Sequence, residues 1–248
     1  MTLRLTGIGF RYTRSTAVFD GFDLSLSSPA TVLLGPNGAG KSTLMGLAAT
    51  HLQAETGTVS WRDRVPGSRR DRVAYVGAVA WLPQEIVAIP GLRVREQVAY
   101  MGWLKGMSRT AAWEASRDAL ERVKLTDLAG RRSHQLSGGQ KRRMGLAGAL
   151  THKSELILMD EPTAGLDPTQ RKIFRNLLDT LRDDVHIVVS THQTEDLADS
   201  YSEVVVLDQG AVRFQGSTQE FHSLAGTDTD GPRERAEAAY AKLVRGEV

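Results

Sequence analysis

Apolar and polar positions change their spacing several times along the chain, and each change marks an element. Leu3, Leu5, Ile8 and Phe10 begin a strand-like stretch, and Val18 to Leu26 adds alternating apolar positions around Gly21, so an antiparallel β-region is expected at the start. Thr31-Val32-Leu33-Leu34 reads as a short buried strand that runs into a glycine loop, followed by a helix from about Lys41 to Ala49. Val73 to Leu82 is apolar and rich in β-formers, which predicts β structure there. The pattern then turns helical over Val94 to Lys105 and Arg109 to Val123, two helices that read as an inserted subdomain. Leu156 to Met159 and Val185 to Val189 are continuous apolar runs of strand length, the form of parallel strands buried on both faces. Between them, Pro168 to Leu181 has helical spacing with proline near its first turn. Val204 to Leu207 and Ala211 to Gln215 flank Gly210 as a final hairpin, Thr227 to Pro232 is a polar turn, and Arg233 to Val244 is a closing helix. These elements predict one α/β domain: a core of about residues 1–84 and 137–217, a helical subdomain of about 85–136, and a helical tail of about 218–248.

Composition narrows the class. With 248 residues, 41% hydrophobic and 24% charged, the chain is long enough for one sizeable globular unit with a subdomain. The net charge is only +2, so the sequence pI of about 9.0 carries no inference of nucleic-acid binding, and none is expected. No apolar stretch approaches the ~18 to 20 residues needed to span a bilayer, and Met1-Thr2-Leu3-Arg4 does not begin a signal peptide, so the chain is expected to be soluble. Zero cysteines exclude disulfides and thiolate metal sites.

Three motifs carry chemistry. In Gly35-Pro36-Asn37-Gly38-Ala39-Gly40-Lys41-Ser42-Thr43 the glycines free the backbone to wrap a phosphate chain, with amide hydrogens pointing inward at the positive end of the next helix. Lys41 adds a charge for the β- and γ-phosphates, the Ser42 hydroxyl is a ligand for Mg²⁺, and Thr43 reaches the α-phosphate region. Taken alone, this loop fits any NTPase or kinase. Asp160 and Glu161 end a buried strand, where parallel sheets present ligand groups; Asp160 suits the Mg²⁺ shell and Glu161 suits polarising the attacking water. Leu136-Ser137-Gly138-Gly139-Gln140 reads as a helix start in which Ser137 is the cap and two glycines let amides approach an anion. The chain therefore has two anion-binding elements, and one nucleotide does not need both from the same subunit.

With these motifs in this order, the chain resembles the ATPase subunit of ABC transporters over roughly Leu3 to Ser217. The resemblance implies a P-loop NTPase (RecA-like) core with a parallel sheet, and a head-to-tail pair of ATPase subunits, two copies of one chain, in which Ser137 to Gln140 contact the γ-phosphate held by the partner. It also assigns single residues. Gln84 in Trp81-Leu82-Pro83-Gln84 matches the Q-loop glutamine of the Mg²⁺ or water shell, and His192 in Ser190-Thr191-His192 matches the H-loop contact to the γ-phosphate. Asp167 matches the D-loop along the dimer seam, and Tyr12 matches the aromatic ring stacked on adenine. Stacking tolerates any base, but no guanine signature is present, which favours ATP.

The implied activity is ATP hydrolysis coupled to transmembrane transport, on the cytoplasmic face of the membrane, through a separate integral permease subunit. A short helix of that permease would dock beside the helical subdomain near Glu85 to Met107, with Met101, Trp103, Leu104 and Met107 as candidate lining. Lys141-Arg142-Arg143 after the signature and the Ser-Thr-His segment resemble bacterial exporters, while Ala49-Thr50-His51 departs from the usual Gly-Leu after the first helix. Two alternatives are a soluble ABC ATPase without a transport role, such as a partner in iron-sulfur assembly, and a P-loop small-molecule kinase. The kinase reading leaves the signature and Glu161 without a role. His51, His134, His152, His186 and His222 show no metal-ligand spacing and are read as structural.

Overall fold

A computed structural model describes residues 2–13, 15–194, 201–225 and 231–245. The chain opens with β1 (Leu3–Thr13) and β2 (Thr16–Leu26), then β3 (Ala30–Leu34), α1 (Lys41–Ala48) and β4 (Thr56–Trp61). Next come α2 (Arg69–Ala78), β5 (Val79–Leu82), α3 (Val94–Leu104), α4 (Arg109–Arg122) and α5 (Gly138–Thr151). β6 (Leu156–Asp160), α6 (Pro168–Leu181), β7 (His186–Thr191), β8 (Glu203–Asp208) and β9 (Ala211–Ser217) complete the sheets, and α7 (Thr218–Ser223) and α8 (Pro232–Arg245) close the described chain.

Two sheets result. β2, β1 and β4 form an antiparallel three-stranded sheet, and the larger sheet has the order β5-β6-β7-β3-β8-β9, parallel except for β9. The alternation within the parallel strands explains their position. Ile157 and Met159 of β6 enter one core with Val32, Leu34, Ile187 and Val189, whereas Leu156 and Leu158 enter the other with Leu33 and Val188. Each strand thus feeds two cores, so it must be apolar at every position. The first core is closed by α5 and α6, and the second by α1 and the small sheet. Helices α3 and α4 pack on each other and on α5.

One expectation needs correction, and one strand was not foreseen. The stretch from Val73 to Leu82 is strand only over β5; Arg69–Ala78 is the helix α2. Ser68 caps it in a box with Asp71, the Asp71 amide donating to Ser68 Oγ at 3.2 Å and the Ser68 amide to Asp71 Oδ2 at 3.3 Å. Tyr75 and Ala78 then fall on one buried face, and the Tyr75 hydroxyl donates to the Ala48 carbonyl at 2.6 Å. The cap and the i, i+3 spacing outweigh the β-branched Val73 and Val76, of which Val73 is exposed. The unforeseen strand is β4, which pairs with β1 through Leu3↔Trp61 and Leu5↔Val59 and buries Trp61. The polar turn expected at Thr227 to Pro232 falls largely outside the described residues, and α8 covers the expected closing helix.

Candidate functional site

The glycine loop joins β3 to α1 at the carboxyl end of the parallel strands. Gly38 and Gly40 have φ of 84° and 104°, which a residue with a side chain enters only with strain. A Cβ on Gly35 would lie 2.2 Å from the Leu207 carbonyl oxygen, so the loop can pass β8 only with glycine there. A Cβ on Gly38 would meet nothing within 4 Å, so the loop backbone faces open space at that point. Pro36 accepts the Ala39 amide at 3.2 Å, while Asn37 and Ser42 are exposed.

Lys41 starts α1 and is only 6% exposed. Its Nζ donates to the carbonyls of Gly35 at 2.7 Å and Pro36 at 3.0 Å, which holds the ammonium under the loop. Burial pushes its pKa below the ordinary lysine value, and the carboxylates of Glu161 and Asp160 oppose that shift. Thr43 is buried behind the loop, with its Oγ1 3.1 Å from the Tyr12 hydroxyl. Tyr12 is 59% exposed and stands edge-on to Phe10 at 5.0 Å, so most of its ring is available to a planar group.

The two carboxylates leave β6 in different ways. Asp160 is buried and accepts a hydrogen bond of 2.5 Å from Ser190 Oγ. Adjacent side chains in an extended strand point to opposite faces, and the chain breaks that rule at Glu161, whose φ is 45°. A non-glycine residue in this region costs on the order of 1–3 kcal/mol. The turn brings Glu161 Oε1 to His192 Nδ1 at 2.8 Å and Glu161 Oε2 to Gln84 Nε2 at 3.4 Å. Residues from β6 and from the segments after β5 and β7 are therefore gathered on one carboxylate.

The signature forms a second, separate element. Leu136 is buried; Ser137 Oγ accepts from the Gln140 amide at 3.3 Å, and the Ser137 amide donates to Gln140 Oε1 at 2.9 Å, a reciprocal cap on α5. A Cβ on Gly138 would meet open space, whereas one on Gly139 would lie 2.6 Å from Gln170 Oε1. Gln170 belongs to the first turn of α6, which Asp167 caps by accepting the Gln170 amide at 2.9 Å. Asp167 and the signature are thus adjacent on one face of the chain. The hydrogen bonds of Ser137 and Gln140 run to each other, and none joins them to the glycine loop.

Sequence reasoning missed three residues. Arg142, read only as part of the basic triplet after the signature, is 8% exposed; its Nη1 reaches the Pro83 carbonyl at 3.4 Å, next to Gln84. Burial lowers its pKa, and facing Asp160 and Glu161 oppose that. The spacing Gly139, Arg142, Leu146 on the buried side of α5 is the signal that pointed inward. Arg143 also turns in, donating to the carbonyls of Val123 at 3.1 Å and Lys124 at 3.0 Å. Ser190 is the third missed residue, and no local pattern marks it.

A groove of about 450 Å³ lies between α3, α5 and the core, lined by His51, Val76, Trp81, Met101, Leu104 and Lys105 among others. Of the four residues named from the sequence, Met101 and Leu104 line this groove and the other two do not. Trp103 lies on the other side of α3, 43% exposed and stacked on Tyr100 at 5.6 Å, in a separate groove with Trp113. Met107 folds back on α3, where a Cβ on Gly102 would lie 3.0 Å from its Sδ.

The donor set suits a nucleotide with a hard cation. Ser42, Asp160 and Gln84 offer hydroxyl, carboxylate and amide oxygens, the preference of Mg²⁺, beside a loop with a buried ammonium for phosphate. A phosphate loop ahead of a buried strand that ends in two carboxylates, with a histidine and a glutamine on the second of them, defines a P-loop ATPase cassette. The family model described as ABC transporter matches residues 20–164, more than half of the chain, and the chain belongs to that family. Its nucleotide is accordingly ATP and its metal Mg²⁺.

Similar proteins include the linearmycin resistance ATP-binding protein LnrL of Bacillus subtilis, 31% identical over 232 residues, covering 92% of this chain and 73% of LnrL. The sulfate/thiosulfate import ATP-binding protein CysA of Mycolicibacterium paratuberculosis is 38% identical over 200 residues, covering 77% of this chain and 53% of CysA. The chain spans 66%, 73% and 61% of the length of three curated relatives from Bacillus subtilis, so those proteins are longer. Among solved structures, cbiO1 from Clostridium perfringens superposes with a TM-score of 0.77 at 24% identity, over 89% of this chain and 90% of that one. The dimeric ABC transporter cassette MJ0796 gives 0.76 at 23% identity, over 87% and 98%. These two likenesses speak to the fold.

Proposed function

We propose that this chain is the motor subunit of a membrane exporter, hydrolysing ATP as one of a pair of cassettes bound to the cytoplasmic face of a permease. The observation that carries the hydrolytic part is the left-handed turn at Glu161, which gathers His192 and Gln84 on one carboxylate facing Lys41.

The roles follow from position. Backbone amides of Gly35 to Gly40, with Lys41 and Thr43, grip the phosphates, and Tyr12 offers its exposed ring to adenine. Ser42, Asp160 and Gln84 would hold Mg²⁺, which when bound supplies positive charge to the β- and γ-phosphate oxygens. Glu161 accepts the proton of the attacking water, and His192, hydrogen-bonded to it through Nδ1, fixes the carboxylate and presents the far edge of its ring toward the γ-phosphate. Ser137 and Gly138 form an exposed helix start with open space at Gly138, beside Asp167, which suits completion of a partner's site in place of their own.

The groove along Met101, Leu104 and Trp81 supports docking of a permease helix, because it is largely apolar yet spans the junction of core and helices. Among the described residues no helix is long and apolar enough to cross a membrane, so membrane attachment is assigned to that partner. Export as the direction is supported by Lys141-Arg142-Arg143, by Ser190-Thr191-His192 and by the similarity to a resistance protein; import is the function named for CysA. The test is purification of the chain from its native membranes in mild detergent. A polytopic membrane protein should come with it in fixed ratio, and a chain recovered only from the soluble fraction would refute the transport role.

A further inference from the structure

We propose that Ser190 is a positioning residue for hydrolysis, using one hydroxyl to orient the Asp160 carboxylate and to hold the backbone turn that aims Glu161. The inference rests on the roles just assigned to Asp160 and Glu161 and adds a group that touches neither nucleotide nor water.

Ser190 stands at the end of β7, directly opposite Asp160 in the parallel register of β6 and β7, and has no exposed surface. It follows Ile187-Val188-Val189, so a hydroxyl ends the apolar run of β7 at the level of the carboxylates. A buried hydroxyl is unfavourable unless paired, and this one is paired twice. It donates to Asp160 Oδ1 at 2.5 Å and accepts from the Glu161 amide at 3.1 Å. The directions are forced: a hydroxyl has one hydrogen, an amide N–H only donates, and an ionised carboxylate only accepts.

Two consequences follow from that single oxygen. With Oδ1 engaged by Ser190, rotation of the Asp160 carboxyl is blocked and its second oxygen is left for a cation. The Glu161 amide is shared between Ser190 Oγ and the Ser190 carbonyl, each at 3.1 Å, which anchors the residue at the point where φ turns to 45°. Because the strain at Glu161 has to be held by its surroundings, loss of Oγ frees the Asp160 carboxyl and leaves the Glu161 turn anchored by the Ser190 carbonyl alone.

The experiment compares Ser190→Ala, Ser190→Thr and Ser190→Val in the full chain. Thr and Val have the same shape and both suit a strand, so they differ only in the hydroxyl. Steady-state ATPase rates are measured over a Mg²⁺ titration, with nucleotide affinity and thermal melting alongside. Ser190→Ala and Ser190→Val should lower kcat by about 10-fold or more and raise the Mg²⁺ concentration for half-maximal activity several-fold, as expected for loss of a hydrogen bond to a charged group. Ser190→Thr should keep both values near those of the unmodified chain, and a merely structural role would move the melting temperature without moving the Mg²⁺ titration. Ala and Val variants that match the unmodified chain would overturn the inference alone, as would Thr falling together with Val. An unmodified chain without Mg²⁺-dependent ATPase activity would overturn the proposed function and this inference with it.

Discussion

Replacing Glu161 with glutamine changes one atom at the centre of the site and leaves its scaffold in place. The amide keeps an oxygen to accept from His192 Nδ1, now at 2.8 Å, and it puts an NH₂ where Gln84 Nε2 stands at a long 3.4 Å, so little binding is lost on that side. Backbone bonds from the Glu161 amide to Ser190 persist, and the left-handed turn with them. Lys41 loses the larger of the two carboxylates that oppose its desolvation, but keeps Asp160 and the loop carbonyls. Folding and nucleotide grip should therefore survive, and the loss should fall on the chemical step. A positioned base contributes about 10²- to 10⁴-fold in rate, or roughly 3 to 5 kcal/mol of barrier. Glu161→Gln should turn over at no more than about 1% of the unmodified rate, with ATP affinity within about threefold, and should collect as an ATP-bound pair on size-exclusion chromatography. Single-turnover rates with radiolabelled ATP separate hydrolysis from product release. A rate within about threefold of the unmodified chain would remove Glu161 as the base and the proposal built on it.

Two further predictions probe the signature and a buried histidine. Ser137→Arg removes a cap worth about 1 kcal/mol and puts bulk and charge on an exposed helix start, so ATP binding to the single chain should persist while turnover per molecule falls at least about 10-fold; full turnover per molecule would refute a site shared between two chains. His152 Nδ1 donates to the Gly148 carbonyl at 3.1 Å, its Nε2 is buried, and burial with nearby Lys105 lowers its pKa from 6.5 to about 4. It is therefore neutral in the fold and takes a proton more readily when unfolded, so its contribution is complete above pH 6.5 and is lost as pH falls toward about 4, at most about 3 kcal/mol. Urea unfolding of the unmodified chain and of His152→Gln across that window should show the steeper loss in the unmodified chain, and parallel curves would refute it.

Much of the site was legible because its pieces are local. A left-handed glycine, a lysine at the first helical position or a serine that caps three residues ahead depends on bonds within one turn of chain, so Gly35 to Thr43, Ser137 to Gln140 and the cap at Asp167 could be read from neighbouring letters. Buried parallel strands were legible for the same reason, since apolar residues at every position leave no solvent-facing side. The rest depended on which strands and helices meet. Val73 to Val76 look like strand by composition, and only the pairing of Tyr75 with the Ala48 carbonyl and the cap at Ser68 place them in a helix. Ser190 and Asp160 are thirty residues apart, and nothing short of the β6–β7 register sets one hydroxyl against the Asp160 carboxylate and the Glu161 amide. Arg142 and Trp103 likewise took their sides from helix packing, one turned in toward Pro83 and the other out beside Tyr100. The sequence alone determined the binding loops and caps, whose geometry is paid for by nearby backbone hydrogen bonds; the tertiary structure decided how the carboxylates are aimed, because that orientation is held by contacts between distant strands.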